Sequence, residues 1–285
     1  MDKVLTHYTK TSRKAVYNIS MPDLIKVVFD IPINDSFDYI SDDKKVKIGS
    51  RVRVSFGNTT RIGVIIDIIA ADSKPKTYKI KKIDELIDEV PILTTEMFKT
   101  CKWASSYYHH PIGQVIFSAM TPLHRKQRKE PTSKLEIRHN ESFEELILNA
   151  EQKKIHDSLI KEEKKFKVNV IRGVTGSGKT ELYVKLAKKS IEENFQILIM
   201  VPEINLIPQT LERFKRYLKI IPLQYHSNLT PTQKHKVWRA CSEEEQIIVI
   251  GTRSSIFLPF KKLGLIVIDE EHDGSYKQTE MFKYN

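Results

Sequence analysis

Gly173-Val174-Thr175-Gly176-Ser177-Gly178-Lys179-Thr180 fits GxxxxGK[ST] at every position. It lies between an apolar run, VNVIR (168–172), and a segment of helical character that starts at Lys179. A phosphate loop works in that setting. The glycines let backbone N–H groups turn toward phosphate oxygens, the lysine reaches the β and γ phosphates, and the hydroxyl at the helix start ligates Mg²⁺. The stretch therefore predicts a strand, a loop and a helix in a parallel α/β sheet. It assigns Gly173, Gly176, Ser177, Gly178, Lys179 and Thr180 to nucleotide binding.

The downstream pattern agrees. QILIMV (196–201), QIIVI (246–250) and LGLIVI (263–268) read as buried strands, and IPQTLERFKRYL (207–218) reads as an amphipathic helix. Apolar strands alternating with helices predict a sheet covered on both faces. Asp269-Glu270-Glu271-His272 follows the last of these strands directly. Strand carboxyl ends are where ligands bind in open α/β sheets. There Asp269 would hold Mg²⁺, and Glu270 would orient and deprotonate the attacking water. Alone, such an acidic cluster is also a common helix cap; the upstream loop gives it the catalytic reading.

The first half differs. KVVFDIPI, FDYIS, RVRVSF and RIGVIIDII, between residues 26 and 69, are short β-prone runs separated by turn signals, which predicts a small barrel or sandwich. Met97, Cys101, Ala104 and Tyr108 share one helical face. Residues 122–147 are polar and basic and read as a linker; residues 1–20 read as a tail. The fold class is thus β followed by α/β: a β-rich domain over 21–121 and a P-loop lobe over 148–285.

Composition narrows the function classes. A chain of 285 residues can hold two ordinary domains. No stretch nears the roughly 20 apolar residues of a membrane span, and the first twenty residues lack the apolar core of a signal peptide, so a cytoplasmic protein without a membrane partner is expected. Cys101 and Cys241 are too far apart in sequence to suggest a CxxC-type metal site. The net charge of +11 fits either solvated lysine-rich faces or attraction to a polyanion.

Eight segments carry a family resemblance: SFDYI (36–40), RVRVSFG (51–57), YYHHPIG (107–113), LNAEQ (148–152), GVTGSGKTELY (173–183), VPEINLIPQT (201–210), IGTRSSIFLPFKKLG (250–264) and VIDEEHDGSYKQ (267–278). Together they resemble the N-terminal part of the primosomal protein N′ (PriA) family, superfamily 2 DNA helicases of replication restart. The resemblance implies a RecA-like lobe, ATP with Mg²⁺, and 3′→5′ unwinding of DNA for primosome assembly. Implied partners are forked DNA, a 3′ end, single-stranded DNA, primosome components and single-strand-binding proteins. It places Gln152 beside the adenine, where a plain exposed glutamine is the alternative. Thr252 and Arg253 fall in a segment that touches the DNA backbone, with a helix cap as the alternative at the serines that follow. Phe37, Asp38 and Tyr39 match a pocket for a terminal base, with Gly57 allowing close approach and Lys81 contacting phosphate; ordinary strand packing is the competing reading of FDY.

Two departures bear on activity. The family's winged-helix domain between end-binding domain and LNxEQ helix has too little room in residues 122–147. The sequence stops at Tyr284-Asn285, before the rest of the family pattern. The second motor lobe with its arginine fingers and the cysteine-rich zinc insertion fall outside it, so zinc is expected only in full-length members. The expectation is a fragment that binds nucleotide weakly and hardly turns it over. A non-enzymatic DNA-end-binding fragment and another superfamily 2 helicase, such as one acting on RNA, stay open as alternatives.

Overall fold

A computed structural model describes residues 23–69, 80–126, 135–160, 165–174, 176–279 and 282–284. The tail over residues 1–20 and part of the linker lie outside the described residues. Four main strands build the N-terminal sheet: β1 (Asp23–Val28), β2 (Phe37–Ser41), β3 (Arg51–Phe56) and β4 (Thr59–Ile69). Two short strands, β5 (Lys81–Lys82) and β6 (Glu85–Leu86), complete the order β5-β2-β1-β4-β3-β6. Period-2 alternation decides which side chains face inward. Ile25, Val27, Tyr39, Val52, Val54 and Ile65 are buried together with Phe29.

The β3–β4 register pairs Phe56 with Thr59, leaving Gly57-Asn58 as a two-residue turn. Gly57 adopts φ +58°. That is the positive φ a primed hairpin turn needs at its first central position, and glycine supplies it without steric cost.

Helices α1 (Thr95–Tyr107) and α2 (Ile112–Ala119) join this sheet to the second unit. Thr94 caps α1 by accepting from the Met97 N–H, and Met97, Cys101 and Ala104 bury the face their spacing predicted. Their cluster runs without a break into Leu198, Met200, Val237 and Trp238 of the α/β lobe, so the two domains share apolar core.

The lobe contains α3 (Ala150–Ile160), α4 (Lys179–Glu192), β7 (Gln196–Met200), α5 (Ile207–Tyr217), β8 (Leu223–Tyr225), α6 (Pro231–Glu243), β9 (Ile248–Gly251) and β10 (Leu263–Ile268). The strands are all parallel, in the order β10-β7-β9-β8. Ile197 and Ile199 of β7 face α4 and α5, whereas Leu198 and Met200 face α6 and the first domain. This is the expected β-rich domain followed by a parallel α/β lobe.

One expected element is different. VNVIR (168–172) forms no strand: residues 165–174 run as irregular chain, with Val168 74% and Val170 72% exposed. A strand of that composition is stable when neighbours cover it. Here β10 is the terminal strand of its sheet, and its own Ile266 and Ile268 are 42% and 49% exposed. Joining it would offer the segment one ladder and little burial.

The described part of the expected linker is also not free chain. Asn140 donates its side-chain amide to the Lys215 carbonyl at 2.7 Å, Glu144 pairs with Arg216 at 2.8 Å, and Leu146 is buried beside α5. The connecting segment is docked on α5 through these contacts.

Candidate nucleotide and nucleic-acid sites

The phosphate loop leads into α4 through Gly178, whose φ of +80° marks the left-handed turn at the helix entrance. That φ favours glycine; a Cβ there would also stand 2.2 Å from the Gln152 side-chain nitrogen and push that amide aside. Gln152 donates to the Gly178 carbonyl at 3.2 Å. Its amide oxygen accepts from the Asn149 N–H at 2.9 Å, while the Asn149 side chain accepts from the Gln152 N–H at 2.8 Å. That reciprocal pair caps α3 and fixes it against the loop.

Lys179 folds back onto its own loop, donating to the Gly173 carbonyl at 2.9 Å. Its ammonium also lies 3.5 Å from a carboxylate oxygen of Glu270. The loop and the acidic cluster, about ninety residues apart in sequence, thus meet. Glu270 has φ +47° and sits 3.8 Å from His272. Asp269 is held from two sides. Its Oδ1 accepts from the Tyr183 hydroxyl at 3.3 Å, and its carbonyl accepts from Tyr276 at 2.7 Å. Burial, then the nearby carboxylates, pushes both phenols above their usual range, so they remain donors at neutral pH.

The residues fit a triphosphate and its metal in kind: glycines at positive φ at 176 and 178, an ammonium, a hydroxyl and a carboxylate. Arg213 of α5 was invisible in the sequence reading. It donates to the Thr180 hydroxyl at 3.0 Å and brings a second cation to the loop. The only sequence signal for it is that α5 packs on α4; nothing local marks the residue.

Phe37, Asp38, Tyr39, Gly57 and Lys81 line one open cleft of about 420 Å³, together with Ser36, Ser55, Phe56 and Ile80. Two of its lining rings, Phe37 and Phe56, meet edge-on at 4.9 Å, and Phe29, outside the lining, packs against both at 5.4 and 4.8 Å. Tyr39 is buried and donates to the Ser55 carbonyl at 3.3 Å, so it contributes wall rather than an exposed face. Asp38 accepts from Lys26 at 3.2 Å across the β1–β2 pair. Phe56 reads as an ordinary strand residue in the sequence; β1 and β4 lie between its strand and that of Phe37, so only the folded sheet brings the two rings together.

Thr252 and Arg253 line a second cleft, of about 560 Å³, with Pro202, Glu203, Asn205, Ser227 and Ser275. Arg253 donates to the Ser275 and Lys277 carbonyls, which ties β9 to the segment after the acidic cluster. Ser255 is buried inside the short helical turn Arg253–Phe257 and donates to the Thr252 carbonyl at 2.7 Å; the cap position is Thr252, which makes no side-chain cap bond, so neither following serine is the cap. Among the described residues no helix is long and apolar enough to cross a membrane.

Comparison with known proteins follows the same division. Residues 26–121 match a PriA family described as the 3′DNA-binding domain (3′BD), and residues 149–283 match the DEAD/DEAH box helicase family. The replication restart protein PriA of Haemophilus influenzae is 29% identical over 336 residues, covering 92% of this chain and 46% of that protein. The PriA of Rickettsia conorii is 36% identical over 249 residues, covering 86% of this chain and 37% of that protein. The PriA of Bacillus subtilis is 44% identical over 119 residues, 42% of this chain and 15% of that protein. The matches therefore span less than half the length of these curated relatives. With both domain families matched in order and the likeness running over nearly all of the sequence, the chain belongs to the replication restart protein PriA family.

Proposed function

We propose that this chain is the DNA-end-recognising and nucleotide-binding part of a replication-restart helicase, acting in the cytoplasm on forked DNA with an exposed 3′ end. The observation that carries the reading is the convergence of Phe37, Asp38, Gly57 and Lys81, distant in sequence, on one ring-walled cleft. A terminal base can stack on such a wall, a carboxylate can accept from the base edge or a 3′ hydroxyl, and a lysine can meet a phosphate. Residues 21–121 carry that role, 122–147 connect, and 148–285 form the first motor lobe.

In the lobe, Gly173, Gly176, Ser177 and Gly178 would cradle phosphates and Lys179 would meet the β and γ groups. Thr180 and Asp269 would hold Mg²⁺, which neutralises phosphate charge when bound with ATP. Glu270 would orient the attacking water, and Gln152 would read the base edge through its amide. Nucleotide must first displace the Lys179 contacts to Gly173 and Glu270. Thr252 and Arg253 would meet the DNA backbone. In the longer protein these parts would serve 3′→5′ unwinding, alongside primosome and single-strand-binding partners.

The test uses the purified chain. It should bind a duplex with a recessed 3′-OH more tightly than the same duplex ending in a 3′-phosphate, and Asp38→Ala should erase the preference. Equal affinity of the parent for both ends overturns the end-recognition reading. Fluorescent ATP analogue binding should be lost in Lys179→Ala while the chain keeps a cooperative thermal melt, since the side chain contacts the loop and Glu270 and no apolar core is removed. Retained binding would remove the loop from the site.

A further inference from the structure

A third, smaller cavity of about 270 Å³ is lined by Phe29, Asp30, Thr60, Arg61, Phe117 and Arg125. Arg61 links it to the proposed 3′-end cleft, since its guanidinium stands 5.3 Å over the ring of Phe56, which lines that cleft. Arg125 follows α2 at the domain junction. Its Nη2 donates to the Ser118 and Met120 carbonyls at 3.2 and 3.3 Å, whereas its Nε is buried with no hydrogen-bond partner among the described residues. A guanidinium fixed in this way presents charge in a set direction.

Lys234 of α6 continues the line into the second domain. It donates to the Ser227 carbonyl at 2.8 Å, and Ser227 borders the cleft of Thr252 and Arg253. The rings of His124 and His235 lie 5.0 Å apart, which brings their chain neighbours Arg125 and Lys234 to the same junction; burial and then the like charge of Arg125 also lower the Lys234 ammonium below its usual range. Asp30 is the one carboxylate lining the cavity, against two arginines. Such a surplus of positive charge in a concave space is relieved by a bound anion.

We infer that Arg61, Arg125 and Lys234 form a phosphate track for the DNA backbone, leading from the 3′-end cleft across the domain junction to Thr252 and Arg253. The ligand is a run of phosphodiesters, read by charge and not by sequence. This inference rests on the DNA-binding reading above, and it adds the path by which one strand touches both domains. It also gives the shared core between the domains a purpose, since a track across a junction requires a fixed junction.

The experiment measures anisotropy of a labelled single strand, long enough to lie across both domains and ending in a 3′-OH, over a salt series. Each phosphate contact contributes about 0.7 to the slope of log affinity against log salt for single strands. Arg61→Gln/Arg125→Gln/Lys234→Gln should therefore flatten the slope by about 2 and keep the preference for a 3′-OH over a 3′-phosphate. Binding of a dinucleotide with a free 3′-OH, too short for the track, should be unchanged. Should Arg125→Gln unfold the chain, Arg61→Gln/Lys234→Gln must still flatten the slope by about 1.4. A variant slope equal to the parent's overturns the track. Loss of end preference in the parent with the variant effect retained would sink end recognition and leave the track standing. No DNA binding by the parent sinks both.

Discussion

The two ligand-facing regions are built to different degrees of independence. The ring-walled cleft is built within its own domain: Phe37 of β2 and Phe56 of β3, with two strands between them in one sheet, meet each other and Phe29, which follows β1. The phosphate loop instead hangs between a segment with no strand partner and a terminal strand, and its lysine rests on its own backbone. Local pairing completes the first region; the second waits on a ligand or on neighbours. The DNA-facing part should thus keep its shape alone, while the nucleotide part should gain order when nucleotide binds.

The largest effect should come from breaking the ordered side. Phe29 is 2% exposed and touches three rings. Phe29→Ala should lower stability by about 3–5 kcal/mol, as cavity formation in a core does, and abolish 3′-end preference together with it. Chemical denaturation checks the first and end discrimination the second. Intact discrimination in a destabilised variant would mean that the ring wall is packing only.

A middle effect sits at the junction. His124 is buried against His235 and Trp238, with its carbonyl accepting from Arg51, and burial, then the Arg51 and His235 charges, lowers its pKa from 6.5 to about 2. In the unfolded chain this imidazole takes a proton below about pH 6.5; in the folded chain it stays neutral down to about 2. The unfolded state then binds more protons, so stability is complete above about pH 6.5 and falls as pH drops through that window. At about pH 5 the loss is about 2 kcal/mol. His124→Gln should flatten the fall between about pH 7 and 5 in denaturation curves. Equal pH slopes for variant and parent would place the acid sensitivity elsewhere.

The smallest effect belongs to the loose side. Val170→Ser removes a methyl-bearing side chain that is already mostly in water, and should change stability by under about 0.5 kcal/mol. Measured again with saturating nucleotide, a cost above about 1 kcal/mol would show that the segment becomes buried on binding, sharpening the contrast.

Legibility followed the same line. The phosphate loop, the acidic cluster and the period-2 strands are local patterns, and the fold brings Lys179 of the loop to 3.5 Å from Glu270 of the cluster. The strand expected at 168–172 is absent because a strand is not a local object. VNVIR has the composition, but its burial depends on what lies next to it. Arg213 reaches Thr180, and Arg61 and Arg125 share a cavity, only after helices and hairpins pack, so no spacing announces them. The docking of the connecting segment was illegible for the converse reason: its few apolar residues, such as Leu146, join the core of the lobe, which charge counting ignores.

Gln152 puts one small group under two obligations. Its amide closes the first turn of α3 and also grips the Gly178 carbonyl, so a purine that engages the same oxygen and nitrogen must loosen one of those holds. Base selection and helix anchoring then compete for a single side chain, and arrival of the right base would be felt as slack at the start of α3, a few residues from where the connecting segment docks on α5.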